Sequence, residues 1–506
     1  MASLILNVGL GGSLLLGLFA AVTYYVVSVV IAWYRLRKIP GPFLASFSYI
    51  WLARVAMSGR QYYIYRDLCK KYGSLVRVGP NELTTDDPEV IRRMSAARST
   101  YGKDSWYIGG RFNPYHDSMF TCLDVNEHDN IKAKTAAAYG GRETPELELS
   151  VDNQINTLLH IIRTKYSWSP ARKDAPFLDM GKIMSFLTMD VISCAAFGKE
   201  IGYLREQSDL YNFLRGVRDN WPRLALVLDI PMVRDILFSP LYLKLFGPKP
   251  TDKEGLGALM GVAEKYVGRR FERDAKDEED MLGSFIRRGL SRTECEVEGL
   301  FMIIAGSDTT AGTLRNTLLH IITCPQVYQR LKEEISHAVA EGRVSSPIQH
   351  EEAKRLPYLQ AVVYEGLRMR PAAPGLYPKT VPPKGDVIHG HFIPEGTAIG
   401  MNTSSLMQST ALFGPDANIF RPERFMESDE PARSEMERLV ELAFGYGKFG
   451  CAGKPVAFME LNKVYFELLR AFDFQIANPG KPWDCTSWSV FVDENMWVKV
   501  TESSSE

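Results

Sequence analysis

Cys451 lies near the end of the run Phe444-Gly445-Tyr446-Gly447-Lys448-Phe449-Gly450-Cys451-Ala452-Gly453, and a helix is expected to start near Lys454-Pro455. Gly445, Gly447 and Gly450 free the backbone to take turns that a side chain forbids and to approach a flat ligand closely. A cysteine just ahead of a helix N-terminus meets free N–H groups and the positive end of the macrodipole, which favour a thiolate. One thiolate on a rigid loop suits an axial iron ligand better than a redox pair. Such a ligand pushes electron density onto haem iron and promotes O–O cleavage. A buried free cysteine beside a Gly-rich turn is the competing reading, and three further motifs weigh against it.

The loop resembles that of the haem-thiolate monooxygenases of the cytochrome P-450 family. Their pattern Phe-x-x-Gly-x-x-x-Cys-x-Gly is filled here by Phe444, Gly447, Cys451 and Gly453. The resemblance implies haem b held through Cys451, with electrons from NADPH passed on by a separate NADPH-cytochrome P-450 reductase. No flavin or nicotinamide module is visible in the sequence to replace that partner.

The second motif, Ala305-Gly306-Ser307-Asp308-Thr309-Thr310, interrupts a long apolar helical stretch expected from about Ser291 to Thr323. Ser291 with Glu294 makes a capping box, and Pro325 is expected as the stop. A buried Asp-Thr pair must find partners or water, and Thr309 could simply bond back to a carbonyl. The resemblance implies more. Ala305 and Gly306 would lie against the haem, with Gly306 leaving room for dioxygen. Thr309 would donate a hydrogen bond, and Asp308 would relay protons.

Glu365 and Arg368, three apart, share a helix face and can pair. Arg424 follows in Phe420-Arg421-Pro422-Glu423-Arg424-Phe425. On its own such a pair reads as a solvated surface contact. The resemblance implies instead a structural triad of Glu365, Arg368 and Arg424 that braces the cysteine loop and does no chemistry. Two departures stand out. Phe449 occupies a position where an Arg or His often contacts a haem propionate. His128-Asp129-Asn130-Ile131-Lys132 stands where Trp-x-x-x-Arg is common. The propionates still need cations, and the candidates are His128, Lys132, Lys379 and Lys448, each also readable as a surface residue.

These groups need a scaffold and a location. Residues 1–34 contain no Asp, Glu, Lys or Arg, and about 20 apolar residues cross the hydrocarbon core, so Val8 to Trp33 suffices. Tyr24, Tyr25, Trp33 and Tyr34 mark one interface; Arg35, Arg37 and Lys38 then place the rest on the cytosolic side. A cleavable signal would need a charged start and a small-residue site, and neither is evident. Ile39-Pro40-Gly41-Pro42 reads as a stiff hinge. The expected division is anchor 1–34, basic and Pro-rich hinge 35–42, and catalytic domain 43–506. The same order in membrane-bound eukaryotic members of the family implies the endoplasmic reticulum membrane, single-pass, with a cytosolic domain.

The chain has 506 residues, 45% hydrophobic, and 59 basic against 60 acidic residues, so no whole-chain charge favours nucleic acid. Its seven cysteines include no Cys-x-x-Cys and argue against a zinc cluster or disulfide framework. The sequon Asn402-Thr403-Ser404 is expected to be accidental, Asp277 to Asp280 a solvated loop before the long helix, and Thr501 to Glu506 a frayed tail. Lys448 and Lys454 flank the cysteine loop, where they could help dock an acidic redox partner.

Helical patterns are expected at Arg60–Tyr72, Pro88–Ala97, Glu127–Tyr139, Leu147–Tyr166, Met180–Phe197, Ser208–Trp221, Gly255–Ala275, Ser291–Thr323, Gln326–Ala340, Tyr358–Met369 and Pro455–Phe472. Strand patterns fall at Leu75–Val78, Thr397–Met401 and Met496–Val500. That is a mainly α body with small β-sheets behind one transmembrane helix, in agreement with the fold that the resemblance implies.

Carried over by position, the substrate would meet Trp106 to Phe120, Phe301 with Ala305, Ala373 to Tyr377, and Trp488 to Phe491. An apolar, aromatic lining suits a lipophilic small molecule; Arg111 either meets a polar group on it or is paired. The stretch Trp106 to Arg111 and the loop ending Gly453 to Ala457 resemble fungal secondary-metabolism members, the pisatin-demethylase-like group. The implied activity is insertion of one oxygen atom from O2, as hydroxylation, epoxidation or oxidative demethylation. A haem-thiolate isomerase or dehydratase that does not use O2, and a non-catalytic membrane-anchored binding protein, are the alternatives.

Overall fold

The apolar N-terminal run folds as one helix, Ala2–Leu36, in a computed structural model that describes residues 2–503. Leu16, Phe19 and Tyr24 are 71–78% exposed there, so the helix stands outside the body until its last turn. A second helix, Met180–Phe197, is also long and apolar, though less so, and is almost wholly buried. A helix that is hydrophobic all round belongs in a core or a membrane, and this one is core. It packs along the central helix Arg292–Thr323.

The central helix starts as its sequence dictates. Ser291 Oγ accepts from the Glu294 N–H at 3.3 Å, and the Glu294 carboxylate accepts from the Ser291 N–H at 2.6 Å. It ends at Thr323, and Pro325 opens the next helix, Pro325–Ala340, instead of merely stopping the first. The cysteine loop leads into Lys454–Ala471, which packs on the central helix.

Five short strands make the largest sheet, in the order Leu75–Arg77, Glu82–Thr85, Ala398–Met401, Lys379–Thr380, Gly102–Lys103. A second sheet joins Phe472–Ile476, Trp497–Glu502 and Ser167–Trp168, with Leu178–Asp179 beside Trp497–Glu502.

Several expectations change. A π-turn, Ile162–Tyr166, ends the helix begun at Leu147. The helix expected at Ser208 runs from Phe213 to Asp229 and contains Pro222. Thr501 and Glu502 are not frayed: they pair with Asp473 and Phe472, and residues 504–506 lie outside the described residues. Asp280 is not solvated. It is 8% exposed, caps the extra helix Met281–Arg287 by accepting from the Gly283 N–H, and pairs with Arg270. In the 35–42 segment, Leu36 and Ile39 are buried with Leu75, Leu83 and Ile399 of the large sheet.

Candidate functional site

The cysteine loop is built from local turns. Gly445 and Gly447 take φ of +75° and +55°, and a Cβ on Gly447 would lie 2.2 Å from the Ser95 carbonyl oxygen, so only glycine fits there. Gly450 has an ordinary φ of −67°. The Cys451 N–H donates to the Phe444 carbonyl at 2.7 Å and closes the loop. The Phe444 ring packs on Phe458 of the following helix, centroids 5.5 Å apart.

Cys451 itself is exposed. It lines a cleft of about 530 Å³ together with Arg92, Glu435, Arg438, Glu441 and Tyr446 among others. The surrounding protein mass pushes the thiol pKa up, while the amides of Gly453 and Lys454 and the ammoniums of Lys132 and Lys454 pull it down. The expected helix-terminus donors are therefore in place, but in the bare protein desolvation outweighs them. Gly453 is the N-cap of the helix that begins at Lys454.

Phe449, the residue that departs from the family pattern, is ringed by basic groups. Lys448, Lys379 and Lys103 hold their ammoniums 4.9, 5.1 and 5.8 Å from its ring centroid, and the His128 ring lies 5.5 Å away. Lys103 was not among the sequence candidates. It occupies a two-residue strand and stands directly opposite Lys379 in the antiparallel register. Lys103 is 8% exposed and Lys379 1%. Among the described residues neither has a carboxylate partner within salt-bridge distance; Lys103 donates to the Met119 carbonyl, Lys379 to the Tyr377 carbonyl and the Tyr107 hydroxyl. Burial brings both down to about 7, with mutual repulsion adding to it for Lys379.

The other candidates divide differently. Burial pushes His128 down to about 4, so it is neutral at physiological pH and supplies no cation. Lys132 donates to the carbonyls of Lys448 at 2.7 Å, Gly450 at 3.3 Å and Gly447 at 3.4 Å, and so braces the cysteine loop. Lys448 donates to the Ser99 carbonyl at 2.8 Å, and Lys454 pairs with Glu441 at 2.7 Å. Neither lysine is free to act as a simple docking charge.

On the central helix, Thr309 Oγ1 donates to the Ala305 carbonyl at 2.9 Å, the back-bonded arrangement. Burial raises the Asp308 carboxyl pKa, opposed by Arg315. Gly306 has a packing reason to be glycine: a Cβ there would lie 2.8 Å from Ile192 Cγ1 of Met180–Phe197. Its missing side chain thus points at the neighbouring helix, a packing reason for glycine beside the room for dioxygen that the resemblance implies.

Glu365, Arg368 and Arg424 come together fully buried. Arg368 grips both Glu365 oxygens at 2.7 Å, and Arg424 Nε lies 3.1 Å from each. The remaining guanidinium donors hold carbonyls of Met407, Phe413, Asp416, Ala417 and Ile419. The triad therefore braces the 407–424 segment. Its link to the cysteine loop runs through Tyr364, which packs on Phe425 and Phe458 and donates to Glu441 at 3.2 Å.

The aromatic stretches also converge. Phe301 stacks on Phe120 at 5.2 Å and lies 5.8 Å from Phe112, Trp106 lies 4.8 Å from Tyr377, and the Tyr377 hydroxyl donates to the Ser489 carbonyl at 3.2 Å. Arg111 is paired with Asp117 in a two-bond fork at 2.6 and 2.7 Å. The sequon is indeed unusable: Asn402 is 2% exposed and its side-chain amide donates to the Tyr65 carbonyl.

A lone thiol and two buried ammoniums without a carboxylate fit one kind of ligand. It carries a thiolate-seeking centre and an anionic edge, and haem has both an iron and two propionates.

Comparison with known proteins agrees. The family model for cytochrome P450 matches residues 39–500. The chain is 60% identical over 469 residues to "Cytochrome P450 monooxygenase aba1" of Botryotinia fuckeliana, covering 92% of each chain. It is 48% identical over 497 residues to "Cytochrome P450 monooxygenase abl1" of Leptosphaeria maculans, covering 96% of this chain and 86% of the relative. A more distant relative, "Pisatin demethylase" of Fusarium vanettenii, is 30% identical over 464 residues, covering 90% of this chain and 88% of the relative.

Proposed function

The chain belongs to the cytochrome P450 family, and from that premise we propose that it is a membrane-anchored haem-thiolate monooxygenase whose iron ligand is Cys451. The observation that carries this reading is the Cys451 thiol held under the amides of Gly453 and Lys454, near a buried lysine couple that lacks an anion. When bound, haem supplies an iron that activates dioxygen with electrons from NADPH, delivered by NADPH-cytochrome P-450 reductase.

Each residue then has a task. Phe444, Gly447 and Gly453 shape the loop that presents the sulfur. Lys103 and Lys379 neutralise the propionates, and Lys132 and Lys448 fix the loop beside them. Ala305 and Gly306 line the distal side. Asp308, whose carboxyl pKa is raised by burial, passes protons to Thr309. Thr309 must release the Ala305 carbonyl to donate on the distal side, so its hydroxyl switches between two acceptors.

The aromatic wall of Phe112, Phe120 and Phe301 suits a lipophilic small molecule. The relatives support a role in fungal secondary metabolism, and the name pisatin demethylase keeps oxidative demethylation beside hydroxylation and epoxidation. Ala2–Leu36 would hold the enzyme in the endoplasmic reticulum membrane with the body in the cytosol.

The test is the carbon monoxide difference spectrum of the reduced protein in microsomes. A strongly red-shifted Soret band is expected, absent in Cys451→Ala. A band at the position typical of histidine ligation in both proteins would overturn the ligand assignment.

A further inference from the structure

Asp308 continues into a buried charge network that the proton path does not use. Among the described residues no hydrogen bond acts on its carboxyl, and Arg315 is the one cation that opposes its burial. Gly312 and Arg315 follow it on the same face of the central helix, one and two turns on. A helical side chain leans towards the N-terminus, so the Arg315 guanidinium runs back over Gly312. A Cβ there would meet Arg315 Nη2 at 3.7 Å, with nothing else beyond the helix backbone within 4 Å. At position 312 the helix thus puts no side chain between the guanidinium and Asp308.

Arg315 is 4% exposed and is held from outside the helix. Its Nη1 donates to the Gly181 carbonyl at 3.0 Å and to Ser185 Oγ at 2.8 Å, both on Met180–Phe197. Its Nε donates to no acceptor and lies 3.8 Å from Asp493 Oδ2. Asp493 belongs to the strand Phe491–Glu494, which pairs with Asp484–Ser487. The other Asp493 oxygen takes the shorter contact, from Arg370 Nη2 at 2.6 Å. Two buried guanidiniums therefore share one carboxylate, and Arg370 holds it more tightly. An uncompensated buried charge is strongly destabilising, and Asp308 is the free carboxyl on Arg315's own helix face. The surrounding groups have other partners. Asp179 bears on Arg315, but Lys182 bears on Asp179 more. Cys485 and Tyr63, beside Arg370, are kept neutral by burial. Asp209 and Tyr203 bear on Asp308. Asp209 accepts from the N–H groups of Leu214 and Arg215, and the Tyr203 hydroxyl donates to the Leu210 carbonyl.

We propose that Arg315 is the counter-charge of Asp308: it holds that carboxylate ionised between proton transfers, and Asp493 sets how much of the guanidinium's charge is left for it. Arg315 touches no reacting atom. It is a positioning residue that acts through Asp308. This rests on the reading of Asp308 as the proton relay.

The experiment is an infrared difference titration of the full-length holoenzyme. The carboxyl band of Asp308 is the one missing in Asp308→Asn. Its midpoint should move up by about one pH unit in Arg315→Met and stay near the wild-type value in Arg315→Lys. It should move down in Asp493→Asn, which keeps an acceptor for Arg370 but leaves Arg315 to Asp308. At neutral pH the share of NADPH recovered as oxygenated product should fall several-fold in Arg315→Met and return in Arg315→Lys. Arg315→Met added to Asp308→Asn should lower coupling no further. An unmoved midpoint in Arg315→Met would overturn the pairing. If that variant does not fold, an unmoved midpoint in Asp493→Asn would overturn it. A further several-fold loss of coupling in the double variant would show that Arg315 acts on the helix and not through Asp308, which also overturns the proposal. Full coupling in Asp308→Asn would instead bring down the relay reading, while the infrared midpoints still decide the pairing.

Discussion

Lys103 and Lys379 face each other across an antiparallel strand pair, both buried, with the ring of Phe449 within 6 Å of each ammonium. Like charges in directly opposed positions destabilise a sheet. The carboxyl that bears most on Lys103, Glu298, is itself pushed up to about 7 by burial and offers no fixed counter-charge. A pair that weakens the bare protein makes physical sense where a dianion joins it.

Lys103→Met should therefore divide stability from loading. The haem-free protein should gain roughly 1 kcal/mol through relief of the opposed charges, while haem retained per chain falls several-fold. The pH dependence has a definite sign. Both lysines titrate lower in the fold, at about 7, than the ~10.4 of an unfolded lysine, so the unfolded chain binds more protons between those values. Stability of the haem-free protein should thus rise from neutral pH towards pH ~10, and less steeply in Lys103→Met. Urea unfolding across that range checks it; a flat profile in the wild type would count against the buried couple.

Gly306 and Ile192 make a second testable contact. Gly306→Ala places a methyl 2.8 Å from Ile192 Cγ1, and overpacking of this kind costs about 1–3 kcal/mol. Ile192→Ala in the same chain should restore much of the lost thermal stability. If Gly306→Ala is as stable as wild type and only oxygen turnover falls, the glycine serves the room for dioxygen and not the helix crossing.

The triad should behave as structure, not chemistry. Glu365→Gln leaves two fully buried guanidiniums without their carboxylate, a loss of about 3–5 kcal/mol. The other hydrogen bonds of those guanidiniums end on carbonyls between Met407 and Ile419. Hydrogen exchange in Glu365→Gln should therefore quicken first in 407–424 and only later in 444–453. Simultaneous loosening of both segments would mean that the triad grips the cysteine loop directly.

What the sequence made legible was local. Ser291 with Glu294 announced the start of the central helix, and a mostly apolar run, with Lys182 and Asp190 its only charged residues, marked Met180–Phe197. Glu365, Arg368 and Arg424 were found as letters, but their carbonyl partners belong to an irregular segment with no periodicity to read. Lys103 was invisible because its strand is two residues long and exists only through its register with Lys379. The short helices Pro231–Leu237 and Pro240–Phe246 escaped because their apolar side chains face outward, so they show no core-facing stripe. His128 was found, but the burial that lowers its pKa is a tertiary property.

Thr309 gives the sharpest test of the proposed proton path. Its hydroxyl rests on the Ala305 carbonyl, and such a back-bond contributes only about 1 kcal/mol. Thr309→Val keeps the shape and removes the hydroxyl. It should fold, bind haem and give the same carbon monoxide spectrum, with stability changed by no more than about 1 kcal/mol. NADPH should still be consumed, but less of it should appear as oxygenated product and more as peroxide. Thr309→Ser keeps the hydroxyl and should restore most of the coupling. The solvent isotope effect on product formation should rise in Thr309→Val and return towards wild type in Thr309→Ser, a change that helix packing alone would not produce. Equal coupling in all three proteins would remove Thr309 from the path and leave its hydroxyl as a helix back-bond.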